Sequence, residues 1–282
     1  MLVPALDHIV IDVVDRFDEA ERRYRALGFQ PTPRARHSLG SVNQLFVFGT
    51  DYFEFLSPGT GARPDLVGFP VGLNGLVFAL QGADAMHDTL RARGIPVQPV
   101  QHFSRNVDLP DGTRGEARFN AVRLEPRAAF GGRIYFCEHV TPQMIWRPEW
   151  QAHPNGALGL ARVALAARDP DTIAAFFDRM FGAGAVARAS IPDRPHVLRA
   201  GKVAVEIWPH DALAQTLGTA MPDPAGRGDH MALFSVRVRS LDGTKAVLRA
   251  NGVKNVRVEA GHVLVPPTEA MNVALEFVEQ GE

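Results

Sequence analysis

A chain of 282 residues, 46% hydrophobic and 22% charged, has the balance of an ordinary globular protein and a length that suits about two domains. A formal net charge of −1 removes the electrostatic case for nucleic acid or an anionic membrane as the main partner, and a single cysteine, Cys137, excludes an internal disulfide. No apolar run approaches the ~20 residues needed to cross a bilayer, and Met1-Leu2-Val3-Pro4 leads into a strand rather than a secretory leader, so a cytoplasmic location is expected.

The first element is an apolar, β-branched run, Leu6-Asp7-His8-Ile9-Val10-Ile11-Asp12-Val13, which reads as a buried strand with one imidazole in its middle. A helix is expected over Arg16–Leu27, where Phe17, Ala20, Tyr24 and Leu27 share a face, and Gly28 ends it in the left-handed conformation. Asn43–Phe48 and Tyr52–Leu56 read as a hairpin joined at Gly49-Thr50-Asp51, and the second strand carries Glu54. A histidine on the first strand and a glutamate on the last is a recurring way to hold a divalent metal.

After a Gly/Pro-rich connector from Pro58 to Pro70, the pattern returns: strand Leu76–Gln81, helix Ala83–Arg93 closed by Gly94, then strands Ala117–Leu124 and Arg133–His139. Residues 141–157 hold Trp146, Trp150 and several prolines, which suits an ordered crossing segment rather than a long regular element. A third unit follows with strand Leu160–Ala166, helix Asp171–Met180 and strand Val203–Trp208. The fourth has strand Ala232–Val238, helix Asp242–Ala250 and strands Val256–Glu259, Val263–Val265 and Val273–Val278.

Spacing supports a repeat. His8 precedes the helix-ending Gly28 by 20 residues, and Arg162 precedes Gly182 by the same number. Counting 20 back from Gly94 reaches Asn74, and from Gly252 reaches Ala232, with a slip of one residue expected in either. Each unit ends on a strand with an inward-candidate glutamate: Glu54, Glu138, Glu206 and Glu276.

This βαβββ repeat resembles the vicinal oxygen chelate superfamily, which includes glyoxalase I, extradiol dioxygenases and bleomycin-resistance proteins, and within it the glyoxalase-like-domain branch. The motifs that carry the likeness are Leu-Asp-His8-Ile-Val, His37-Ser-Leu-Gly40-Ser-Val-Asn43, Tyr52-Phe-Glu54-Phe-Leu and Tyr-Phe-Cys-Glu138-His139-Val-Thr-Pro. The resemblance implies an α+β fold of four βαβββ modules paired into two half-barrel domains. These are an N-terminal domain over 1–145 (modules 5–58 and 72–140), a crossover over 146–157 and a degenerate C-terminal domain over 158–282 (modules 158–209 and 231–279).

Carried over residue by residue, the resemblance offers His8, Glu54 and Glu138 as ligands of a divalent Zn, Mn, Fe, Ni or Co ion in the N-terminal bowl. The fourth ligand position falls at Asn74 or Gly75, which departs from the usual His or Glu. Glu54 and Glu138 are the expected catalytic carboxylates, and His37, Asn43, Asn74 and Trp146 the expected substrate contacts. His139, next to Glu138, is expected on the opposite face. In the C-terminal domain Arg162 stands where the histidine would, cannot ligate a cation, and should pair with Glu206.

The expected activity is lyase or isomerase chemistry on a small oxygenated metabolite chelated to the metal. The alternatives are an extradiol-type dioxygenase or a non-catalytic ligand-binding or resistance protein. The expected partner is a small molecule, with neither nucleic acid nor membrane, and a homodimer is left open.

Overall fold

In a computed structural model, which describes residues 2–59 and 66–281, seven consecutive buried residues form strand β1 (Leu6–Asp12) near the centre of an eight-stranded sheet. The chain continues through α1 (Phe17–Ala26), β2 (Ala35–Arg36), β3 (Val42–Val47) and β4 (Tyr52–Ser57). A second unit adds β5 (Gly72–Ala79), α2 (Ala83–Ala92), β6 (Gln101–Asp108), β7 (Arg114–Arg123) and β8 (Arg133–His139). The strand order is β2-β3-β4-β1-β5-β8-β7-β6, so each first strand pairs in parallel with the last strand of its own unit, and β1 and β5 join the units antiparallel. At that seam a Cβ on Gly75 would lie 2.6 Å from Cβ of Val10, so only glycine lets the strands approach there.

The second sheet repeats this order with β10 (Val186–Ala187), β11 (His196–Ala200), β12 (Val203–Pro209), β9 (Ala157–Ala167), β13 (His230–Val238), β16 (Ala274–Glu279), β15 (His262–Val265) and β14 (Arg257–Glu259). Its helices are α3 (Pro170–Phe181), α4 (His210–Leu217) and α5 (Leu241–Ala250). The expected α+β architecture of four modules in two half-barrel sheets is therefore present. The short strands β2, β10 and β11 escaped the sequence reading, and so did β6 and α4. β6 alternates polar side chains along an edge, and α4 follows Trp208-Pro209 where no module strand was due.

One apolar core fills the space between the two sheets. Phe53 packs on Phe234 with ring centroids 5.5 Å apart, Phe29 stacks on Phe277 at 5.8 Å, and Phe78 meets Phe181 at 4.9 Å. The crossing segment is pinned as well. His153 accepts from the backbone N–H of Gln30 (3.0 Å) and donates to Val47 O (2.9 Å), and Asn155 donates to Leu27 O (2.9 Å). That pattern requires a neutral imidazole, and burial lowers the His153 pKa in keeping with it. No helix among the described residues is long and apolar enough to cross a membrane.

Each sheet also has a concave face, and the two are filled differently. In the second bowl Arg162 donates to both carboxylate oxygens of Glu276 (2.9 Å each) and to Glu206 (3.0 Å), while α4 packs its Ala212, Leu213 and Leu217 against Ala164 and Ala166. Burial works against the charge on Arg162, but Glu276 and then Glu206 outweigh it and raise its pKa. The expected Arg162–Glu206 pair is present, with a second carboxylate added.

Where the sheets meet, Asp51 accepts from Leu160 N (2.8 Å) in a nearly dry setting. Burial pushes its pKa up to about 6 from 3.8, against the pull of that hydrogen bond and of Arg237. A raised folded-state pKa means that the ionised form destabilises the fold. The penalty is complete above pH ~6 and vanishes below the unfolded value. Asp51→Asn should therefore raise stability by about 2–3 kcal/mol at pH 8, with the gain shrinking to nothing by pH 3.5, as read from paired thermal melts across that range.

Candidate active site in the first bowl

The site begins with a defect in the β1–β5 ladder. The register shifts between Leu6 and His8, so the neighbours Asp7 and His8 both turn their side chains into hydrogen-bonded contact near the bowl, which strict alternation forbids. His8 Nδ1 donates to Asp7 Oδ2 (2.5 Å), and His139 Nε2 donates to the same oxygen (2.9 Å). Burial opposes ionisation of Asp7, but His139 and His8 together hold its carboxyl well below the usual carboxylate range.

With its Nδ1 proton committed to Asp7, His8 presents the Nε2 lone pair to the cavity, where the Tyr135 hydroxyl donates to it (3.2 Å). Glu54 Oε2 stands 3.7 Å from the same nitrogen. The other oxygen, Oε1, accepts from Asn43 Nδ2 (2.7 Å), which also lies 3.2 Å from His37 Nε2, and Ser41 Oγ is 2.9 Å from His37 Nδ1. The Tyr52 ring stacks on His8 with centroids 4.4 Å apart. His8 is 2% exposed and Glu54 5%, so the pair works in a low-dielectric cup. The cup is closed further by Phe103, Phe119, Arg105 and Arg123.

Strand register explains which expectations hold. His8 lies opposite Tyr52, two residues before Glu54, and Arg162 lies opposite Ala204, two before Glu206. In the second unit Val77 lies opposite Tyr135, two residues before Cys137. Cys137, not Glu138, therefore occupies the inward position, and a slip of one residue moves a side chain to the opposite face.

Glu138 accordingly does not join His8 and Glu54. Its carboxylate caps α2, accepting from Gly82 N (2.7 Å) and from Asn120 Nδ2 (2.7 Å), and despite some burial those bonds lower its pKa. His139, expected outward, faces the bowl instead.

His37 and Asn43 are where the sequence reading put them, in the cavity wall. Asn74 is not. It sits at the second ladder shift in β5, donates to Pro70 O (2.6 Å) and accepts from Arg227 of the second half. Trp146 packs against His139 (4.6 Å between centroids) and Tyr52 (6.1 Å), backing the Asp7–His139 pair rather than lining the cavity. The sequence reading missed Asp7, Tyr135, Arg105 and Arg123. The first was hidden by the bulge, and Arg105 by the unrecognised strand β6. The Ile134-Tyr135-Phe136-Cys137 run is apolar on both faces and carries no phase signal.

With this geometry in place, the comparisons identify the class. The glyoxalase-like domain family model matches residues 6–181, more than half of the chain. The chain belongs to that family, within the vicinal oxygen chelate fold. No curated protein sequence matches it.

Among solved structures it is similar to a hypothetical protein from Staphylococcus aureus at 8% identity, covering 98% of this chain and 99% of that one (TM-score 0.67). It is also similar to a mutant of 4-hydroxymandelate synthase from Streptomyces coelicolor at 13% identity, covering 100% and 95% (TM-score 0.62). A xylose isomerase-like TIM barrel/4-hydroxyphenylpyruvate dioxygenase fusion protein matches at 14%, covering 99% of this chain and 49% of that one (TM-score 0.59). At such identities the likeness shows the fold alone.

The placement of Glu138 is directly testable. Glu138→Ala removes a cap at the positive end of α2 and should destabilise the protein by about 1 kcal/mol, while the imidazole NMR signals of His8 and His139 stay where they are in wild type. Movement of those signals would return Glu138 to the site.

Proposed function

We propose that this protein is a glyoxalase-like metalloenzyme that binds a small oxygenated metabolite in the first bowl. His8 and Glu54 would hold the divalent ion, and Glu54 would also be the carboxylate that moves a proton. The observation that supports this reading most is the approach of His8 Nε2 and Glu54 Oε2 to 3.7 Å in an enclosed cup.

The donor chemistry fits an ion. A first-row divalent cation bonds imidazole nitrogen and carboxylate oxygen at about 2.0–2.2 Å, a reach compatible with this separation. A metal-binding histidine characteristically gives its other N–H to a carboxylate, as His8 does to Asp7. When bound, such an ion supplies Lewis-acid stabilisation of the charge that develops on neighbouring substrate oxygens. Zn, Mn, Fe, Ni and Co all suit the donors.

The chain's own groups divide the remaining work. Asp7 fixes the His8 tautomer and ring plane. Asn43 anchors Glu54 through Oε1, so Oε2 would serve either the ion or a proton, never both at once. The Tyr135 hydroxyl, a donor whose ionisation burial resists, can follow an oxygen of the substrate. Tyr52, Leu45 and Leu56 keep bulk water from the pair.

A second reading, a binding or resistance protein of the same fold, is favoured by the presence of two facing donors where a catalytic site commonly has three. An extradiol-type dioxygenase is less well supported, because His8 is the imidazole that approaches Glu54, while His139 is held by Asp7 and His37 by Ser41 and Asn43.

Elemental analysis separates these readings. Protein purified without added metal should carry a near-stoichiometric divalent ion, and His8→Ala and Glu54→Ala should each lower the content at least tenfold, while Glu138→Ala leaves it unchanged. Wild-type protein that takes up none of the five metals would leave the binding-protein reading standing and remove the enzyme.

A further inference from the structure

Arg105 lies on the inner face of β6, 3% exposed, in the wall of the first bowl. Its Nε and Nη2 have no hydrogen-bond partner among the described residues. Burial lowers its pKa, and Glu54 is the first charge to oppose that shift. No carboxylate forms an ion pair with it among the described residues. A guanidinium brought out of water without a partner is expensive, so a fold that keeps one offers its donors to something that arrives later.

Arg123, on β7, lines the same cavity. Its guanidinium lies over the Tyr135 ring at 4.4 Å, and its Nε donates to Gln101 Oε1 (2.9 Å), which holds the cation in place. Two guanidiniums thus face one carboxylate across the cup. The rest of the wall on that side is the stacked Phe103–Phe119 pair, 5.2 Å between centroids.

We infer that the occupant of this bowl is a small organic anion, with its carboxylate or equivalent oxyanion seated on Arg105 beside Arg123 and an apolar body against Phe103 and Phe119. The inference rests on the first bowl being the working site and adds the substrate class to it. A planar guanidinium with free Nε and Nη2 presents the side-on pair of N–H groups that engages two oxygens at once. The oxygens at the other end of the occupant would then fall toward His8 and Glu54.

The test is calorimetric titration of the protein as purified with benzoate, with its neutral isostere benzamide, and with inorganic phosphate. Wild type should bind benzoate at least tenfold more tightly than benzamide, and Arg105→Met should abolish that preference. Phosphate binding that depends on Arg105 in the same way would also support the inference, with a phosphoryl head in place of the carboxylate. Without ligand, Arg105→Met should melt at or above the wild-type temperature, because it removes an unpaired buried charge.

Equal affinities for benzoate and benzamide, absence of binding by either anion, or an Arg105→Met protein that melts far lower or fails to fold would overturn the inference. Metal content measured on the same preparations keeps the two readings apart. Loss of the metal with anion preference intact defeats the metalloenzyme alone, and metal retained without anion preference defeats the anion site alone.

Discussion

One carboxylate organises the working end of this molecule. Asp7 takes hydrogen bonds from two imidazoles at one buried oxygen, and in doing so decides where every proton in the neighbourhood resides. With its proton on Nδ1 for Asp7, His8 leaves Nε2 as an acceptor for the Tyr135 hydroxyl, with Glu54 standing beside it. Without that anchor a buried histidine could turn its N–H toward Glu54 and close the cup with a simple hydrogen bond. The bulge in β1 is what makes the anchor available, since it brings two consecutive residues into one hydrogen-bonded cluster.

The duplication gives an internal control. At the register position of His8 the second sheet has Arg162, and at that of Glu54 it has Glu206. The guanidinium satisfies Glu206 and Glu276 at once, and α4 lies over the concave face. A cation made of protein thus stands where an exchangeable ligand would otherwise be needed. The two bowls share a backbone and differ in whether their charges are closed among themselves. In the first, donors and acceptors remain open: Asn43 Oδ1 and Arg105 Nε and Nη2 lack partners among the described residues. The shared aromatic core between the sheets binds the closed half to the open one, so the second sheet lends rigidity to the first.

The sequence revealed the fold well because the signals that specify it are local and repeated. A 20-residue interval from strand to helix-ending glycine, β-branched strands and one glutamate per closing strand identify the module, and Glu54, Glu206 and Glu276 all face their bowls. Phase was harder. In β8 every position from Ile134 to Cys137 is apolar, so the sequence offers no way to tell inside from outside, and the glutamate chosen by spacing fell one residue off, at Glu138. Asn74 failed for a related reason, lying at a ladder irregularity that spacing cannot register. His37 and Asn43 were legible because the tight turn at Gly40 brings the residues on its two sides together. Arg105 was not legible: a lone arginine in a polar edge strand looks like surface until the sheet curls over it.

The most direct test of this account is the tautomeric state of His8, read from long-range ¹H–¹⁵N correlations of the imidazole rings at pH 8. The account predicts a protonated Nδ1 and an unprotonated Nε2 in the wild type, with that preference lost in Asp7→Asn. A proton found on Nε2 of His8 in the wild type would contradict it, because the lone pair on which the cup depends would then be absent.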